Sequence, residues 1–287
     1  MKKSIRRFSA LLLILTLCLM IPAAALSAPV AENQELSTYR GISVGGQLVA
    51  VTADGGAVSF CITTEPSKGT VELHEDGSFV YTPGERSRGR DYFGFRATDS
   101  EGQQSREATV IIRLCRQRKN LRYADTAGLS CDYAAHALAD AGLFTGSELL
   151  GNALFEPDRT VSREEFLSLC MACSGTRVLT SVENTGYSND AELSPWVKPY
   201  VATALFDGIP CSSAEFDGKA PILPSEAGEL MNSCFGFSTV PAKAEESQSK
   251  ANLRACGLWN TALDSEEPLT RSDAAILLVK AMELRRK

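Results

Sequence analysis

The chain has 287 residues, 44% of them hydrophobic and 22% charged, with 29 Lys+Arg against 35 Asp+Glu and a net charge of −6. That length and apolar share suffice for ordinary buried cores in more than one domain. The acid excess argues against general binding to nucleic acid or anionic lipid, so any bound anion must be gripped by a local site.

Residues 1–28 read as an export leader. Lys2, Lys3, Arg6 and Arg7 precede an apolar run over 10–21, and small residues follow in "PAAALSAP". Cleavage after Ala25 or after Ser27 satisfies the small-residue rule equally, and the apolar run is short for a bilayer span. Leu17 stands where a lipoprotein signal before Cys18 would need a small residue. The leader contains four basic and no acidic residues, so 25 basic and 35 acidic residues follow it, a net charge of about −10. No membrane partner is expected after cleavage.

Eight cysteines remain beyond the leader, at 61, 115, 131, 170, 173, 211, 234 and 256. An exported protein can hold disulfides, but these spacings do not form a compact disulfide framework, and buried free thiols are expected for most of them. The histidines are His74 and His136, and there are no paired CxxC motifs, so neither structural zinc nor any other cofactor is expected.

Residues 29–115 read as an all-β segment. Val71 and Leu73 alternate with Glu72 and His74, "EDG" turns the chain at 75–77, and Phe79 and Tyr81 resume the period of two. Asp-Gly between alternating runs signals a hairpin in which both turn residues take positive φ. Phe93, Phe95 and Ala97 then point one way, "DSEG" turns at 99–102, and Val110, Ile112 and Leu114 form a closing strand. Short strands with regular turns predict a β-sandwich. Asp54, Asp76 and Asp99 stand singly and read as turn residues, not as a clustered calcium site.

The order Gly-Thr-Val, Asp-Gly-Ser-Phe, Tyr-Thr-Pro, Asp-Tyr-Phe and Thr-Asp over residues 69–103 resembles the bacterial cadherin-like or VCBS-type immunoglobulin-like repeat. That resemblance implies a spacer or adhesive module on a secreted protein, without catalytic residues.

A basic run, "RQRKN", makes residues 116–122 a linker, after which the period becomes helical. Segments then repeat. "YAD" at 123–125 is echoed by "YSN" at 187–189, and "LADAGLF" at 138–144 by "ALFDGIP" at 204–210 and "LRACGLW" at 253–259. Gly142, Gly208 and Gly257 fit helix C-termini that need a left-handed residue. "FEPDRTVSREEFLSLC" is answered by "FDGKAPILPSEAGELM" and "EEPLTRSDAAILL". Phe166, Leu169, Cys170 and Cys173 share one helix face, which places "CMAC" in a core and not in a redox motif.

Two of these three segments begin a helix with an arginine. In "SREE", Ser162 accepts from the amide three residues on and Glu165 reaches back, a capping box. Arg163 adds a forked, permanent charge beside amides expected to be free, which together would hold a carboxylate. "TRSD" offers the same with Thr270, Arg271 and Asp273. In "LPSE" Pro224 suits the first helical position, but Leu223 cannot cap and no guanidinium is present.

These features resemble S-layer homology (SLH) repeats, with one at 123–175, a degenerate one at 186–237 and a partial one at 238–287. The first carries Tyr123, Asp125, Gly142, Phe155, Pro157 and the SREE motif, with Ser130 where the family has tryptophan. The second has Trp196 and Gly208 but lacks the arginine, and the third keeps TRSD with a shortened connecting loop. The resemblance implies a mainly α module of three repeats in pseudo-threefold packing. Its grooves would bind pyruvylated secondary cell-wall polysaccharide, whose carboxylate meets the motif arginine, at fewer than three functional sites. Trp196 reads as a sugar platform or as a core residue of the helix it opens, and its place in the pattern favours the core. The protein would be noncovalently anchored at the wall of a Gram-positive-type cell, with the sandwich as spacer or adhesin. A rival binding reading treats the degenerate repeats as a scaffold for other surface proteins. An enzymatic reading has for support Cys131 near His136, five apart on a helix and poorly placed to face each other, so no enzyme is expected.

Overall fold

The computed structural model describes residues 27–211, 215–259 and 261–285, excepting the side chains of 261 and 262. All but the last two residues of the expected leader lie outside these. Among the described residues, no helix is long and apolar enough to cross a membrane.

The N-terminal part is a β-sandwich. Strands β1 (Val30–Ala31) and β4 (Ala50–Val51) pair with each other at its margin. One sheet runs in the order β2 (Gln34–Tyr39), β9 (Ala108–Cys115), β8 (Gly89–Asp99), β5 (Val58–Thr64); the other runs β3 (Val44–Gln47), β7 (Ser78–Pro83), β6 (Gly69–Leu73). Neighbours in both are antiparallel except β2 and β9, which run parallel from Gln34↔Val110 to Tyr39↔Cys115.

Alternation built these faces as the sequence predicts. Phe93, Phe95, Ala97, Val110 and Ile112 are fully buried, and Phe79 meets Phe93 edge-on at 5.1 Å between centroids. Each buried phenylalanine side chain contributes about 2–3 kcal/mol by leaving water, so Phe95→Ala would cost about 3–5 kcal/mol once its cavity is included. The predicted hairpin is β6–β7, with Val71 opposite Tyr81 and Leu73 opposite Phe79. Its turn differs from expectation, because of the pair Asp76-Gly77 only Gly77 takes positive φ, at 81°. The Asp76 carboxylate instead accepts from the Ser78 amide at 2.9 Å and hydroxyl at 2.6 Å, a local bond that fixes the turn without a left-handed aspartate. Asp54 and Asp99 likewise accept from amides of their own turns.

The C-terminal part is helical. It contains α1 (Asp132–Ala141), the hairpin β10 (Ser147–Leu149) and β11 (Asn152–Leu154), α2 (Arg163–Ser174) and a 3-10 turn at Asp190–Glu192. Then come α3 (Lys198–Asp207), α4 (Pro224–Phe235), α5 (Gln248–Ala255), the short α6 (Thr261–Asp264) and α7 (Arg271–Arg285). The three glycines singled out at helix ends are left-handed, with φ of 74°, 68° and 66° at 142, 208 and 257. The small hairpin was not legible in the sequence.

Helices α2, α4 and α7 pack on one another, and each carries an outer helix: α3 on α2, α5 on α4, and α1 on α7. An outer helix thus packs on the inner helix that precedes it in the chain. Helix α1 has none before it and packs on the last, which closes the arrangement. One core runs through all of it and includes Phe166, Leu167, Cys170 and Met171 of α2, each fully buried. The "CMAC" stretch is core, with Cys170 and Cys173 buried free thiols.

Candidate functional site

The three segments entering the inner helices meet at their N-terminal ends. Val161 donates its amide to the Leu269 carbonyl at 3.0 Å, Leu269 to Ile222 at 3.1 Å, and Ile222 back to Val161 at 2.9 Å. The ring of backbone bonds is closed, and its three side chains are buried, which leaves these peptide groups no water to fall back on. The residue after each ring member is a helix N-cap, so the ring sets the positions of Ser162, Leu223 and Thr270 and of the first turns behind them.

Ser162 and Thr270 complete the expected capping boxes. The Glu165 amide donates to the Ser162 hydroxyl at 3.3 Å, and the Ser162 amide to the Glu165 carboxylate at 3.1 Å. Thr270 and Asp273 exchange the same pair at 3.2 and 3.1 Å, with a third bond from the Thr270 hydroxyl at 2.6 Å. At the entry of α4 only the carboxylate half exists: Glu226 accepts from the Leu223 amide at 3.1 Å, and leucine has no oxygen to answer with.

Free amides beside the arginines were expected, and the structure corrects this. The Arg163 and Glu164 amides donate to the carbonyls of Ala220 and Gly218 at 2.9 Å each, and those of Arg271 and Ser272 to Arg159 and Pro157 at 2.8 and 2.9 Å. The loop before the neighbouring inner helix covers each first turn and takes up the donors that a ligand carboxylate would use. What remains for an incoming anion is the side-chain charge.

The two arginines differ in access. Arg163 grips Glu226 through Nε at 3.1 and 3.2 Å and Nη2 at 2.7 Å, with its side chain 30% exposed. Arg271 is 7% exposed and donates from Nη1 to the Phe155 carbonyl at 2.7 Å and to Glu156 at 3.3 Å, with its guanidinium 4.9 Å from the Phe144 ring. Burial, aided by the nearby charge of Arg159, draws the Arg271 guanidinium below its ordinary value. Glu165 is held by Arg159 at 2.8 Å. At the entry of α4 Pro224 supplies no charge, and Asp273, at the entry of α7, forms no ion pair among the described residues.

Trp196 is 48% exposed just before α3, with its ring edge-on to Tyr200 at 6.4 Å. Core burial was the favoured expectation for it and does not occur, because Val197 and Val201, both fully buried, fill the inward positions of this helix start. Phe206, 80% exposed, stands at the far end of the same helix. Cys131 and His136 make no nucleophile pair. The Nδ1 of His136 lies 2.7 Å from the Asp132 carbonyl, its ring sits against Tyr123, and burial raises the Cys131 thiol above its ordinary value.

Three further residues do structural work that the sequence reading passed over or only listed. Asp125 accepts from the amides of Phe155 and Glu156 at 2.7–3.1 Å, as Asn189 does from Phe216 at 3.2 Å, so the "YAD" and "YSN" echoes tie the same loops. In the sandwich, Asp91 is 1% exposed and takes four donors: the Ser67 amide and hydroxyl, the Lys68 amide and the Tyr81 hydroxyl, at 2.8–3.0 Å.

Comparison with protein families settles the sandwich. Residues 27–114 are a bacterial cadherin-like domain. The match stops at the end of β9 and leaves the helical part outside it. No curated protein matches the chain. Among solved structures it is similar to an endo-fucoidan hydrolase of glycoside hydrolase family 107, at 18% identity and a TM-score of 0.27 over 32% of this chain. A SusE-like surface polysaccharide-binding protein of Bacteroides thetaiotaomicron gives 13% and 0.24 over 32%, and an adhesin of Streptococcus sanguinis 16% and 0.26 over 36%. The chain spans 14%, 16% and 63% of these three, respectively. Scores this low carry no functional argument.

The cadherin-like domain is bonded directly to the helical part. Ser43 accepts the Tyr133 amide at 2.9 Å and donates its own to Asp132 at 3.1 Å, while Gly45 donates to the Ser130 carbonyl at 3.1 Å. A Cβ on Gly45 would lie 2.5 Å from that of Ser130, so only glycine allows β3 so close. Tyr39 and Tyr133 pack at 5.3 Å across the same junction.

Proposed function

We propose that this chain is a non-catalytic cell-surface binding protein. In this reading the helical part is an SLH-type module that attaches it to pyruvylated wall polysaccharide, and the cadherin-like domain acts as spacer or adhesin. The observation that carries the reading is the closed ring through Val161, Ile222 and Leu269, which puts the three repeat motifs of the sequence in equivalent places at one end of one core. Arg163, where the starts of α2 and α4 are joined by its pair with Glu226, is the guanidinium with access. Its Nη1 has no partner among the described residues, so a sugar carboxylate can be met there alongside Glu226. Arg271, as a buried brace, holds the Phe155–Glu156 loop, and Trp196 offers an exposed ring for a sugar face.

The full chain is tested by sedimentation with purified walls, before and after chemical removal of pyruvate. Binding that survives depyruvylation, or that is unchanged in Arg163→Ala, defeats the anchoring reading. Leu205 and Phe206, exposed at the C-terminal end of α3, favour a second reading, in which this helix end contacts another surface protein. Leu205→Ser and Phe206→Ser would then abolish protein capture and leave wall binding intact.

A further inference from the structure

We propose that the recess at the junction of the cadherin-like domain and the helical part binds a sugar or polyol polymer bearing tetrahedral oxyanions, phosphodiester or sulfate. The recess has a volume of 310 Å³ and gathers five cations: Arg40, Arg116, Arg118, Lys119 and Arg122. Gln117 and Asn120 complete its lining, which includes no acidic residue. This is the opposite of the chain as a whole, in which acidic residues outnumber basic ones 35 to 29.

Among the described residues, none of the five forms an ion pair with a carboxylate. Like charges drawn into one concavity repel, and an external anion relieves that repulsion. Asp140 attracts Arg118, but its carboxylate is engaged by the amides of Arg118 and Lys119 at 2.8 and 2.7 Å and by the Tyr39 hydroxyl. Those bonds pin the backbone that presents the charges. Arg122 is held to Gln117 at 2.9 Å and to the Arg40 carbonyl at 3.2 Å, and Gln117 to the Leu121 carbonyl at 3.2 Å. The Nε of Arg40 is buried without a hydrogen-bond partner. The recess is therefore held open with its charges unanswered, which limits the ordering that binding must supply.

Guanidinium forks match the oxygens of phosphate and sulfate, and five cations exceed what one carboxylate neutralises. Single-stranded nucleic acid fits less well, since no aromatic ring lines the recess to stack a base. A membrane surface fits less well because the charges sit in a concavity on an acidic protein. None of the residues lining this site is part of the Arg163–Glu226 contact.

The test is binding of the full chain to dextran sulfate, poly(glycerol phosphate) and uncharged dextran over a salt series. Wild type should bind one or both charged polymers and not dextran. The triple variant Arg116→Gln, Arg118→Gln, Lys119→Gln removes exposed side chains and leaves the Asp140 bonds in place. It should lower the slope of log affinity on log salt by about 2–3 and weaken binding by about tenfold or more. The triple variant Arg86→Gln, Arg88→Gln, Arg90→Gln on the sandwich surface should bind as wild type. Which polymer is retained distinguishes phosphate from sulfate. Equal loss in the two triple variants, no loss in the first, or no binding by wild type at low salt overturns the site. Tighter binding to single-stranded DNA or to phosphatidylserine vesicles than to either polymer overturns its assignment to a sugar or polyol polymer.

Discussion

Arg163 and Glu226, 63 residues apart, meet through three N–H···O contacts of 2.7–3.2 Å. The same Glu226 caps the Leu223 amide, so one carboxylate fastens two inner helices at once. Both side chains are about a third exposed, which limits the pair to about 0.5–1 kcal/mol. A denaturant double-mutant cycle on Arg163→Ala and Glu226→Gln should return a coupling of that size, and it should shrink in 1 M salt.

Leu223→Ser should stabilise the protein. A serine hydroxyl there can accept the Glu226 amide and supply the missing half of the box, as Ser162 and Thr270 do in theirs. Leu223 is 38% exposed, so little burial is lost, and a gain of about 0.5–1 kcal/mol is expected from the denaturation midpoint.

Asp91 links stability to pH. Burial by itself would raise its carboxyl, but the bonds from Tyr81, Lys68 and Ser67 outweigh it and hold the group below its ordinary value. A depressed folded value means the contribution is complete above about pH 4, the ordinary carboxylate range, and is lost as pH falls through the lower folded value. Asp91→Asn should cost about 2–3 kcal/mol at pH 7, since an amide cannot accept all four donors. Its stability should also fall less steeply than wild type below pH 4, a difference read by urea melts at stepped pH.

The eight described cysteines are free thiols of very different reach. Cys61 is exposed, whereas Cys131, Cys170 and Cys173 are buried. Burial pushes the Cys173 and Cys211 thiols up to about 12 and raises Cys170 well above the ordinary range. Maleimide at pH 7 should therefore label Cys61 first in the native protein and reach 131, 170 and 173 only with denaturant, as read by peptide mass analysis.

Some of this architecture was legible in the chain because its causes are local. Alternation put Phe93, Phe95 and Ala97 on one face, since side chains one residue apart in a strand point opposite ways. The Ser162–Glu165 and Thr270–Asp273 boxes close over three residues, and the glycines at 142, 208 and 257 answer to their own φ. The hairpin turn at 76–77 was misjudged within this local range, because an aspartate side-chain bond can replace a left-handed backbone.

The repeat of "VSREE", "ILPSE" and "LTRSD" foretold three similar helix entries, but not that Val161, Ile222 and Leu269 would bond in a ring. Only packing decided that Arg163 would meet Glu226 near solvent, that Arg271 would be buried against Phe155 and Phe144, that the first-turn amides would be covered, and that Trp196 would stay outside. A capping box or a strand period is set by bonds among near neighbours, which the sequence states directly. The partner and exposure of a long charged side chain depend on which distant loop the core brings against it, and that is fixed only when the helices close on one another.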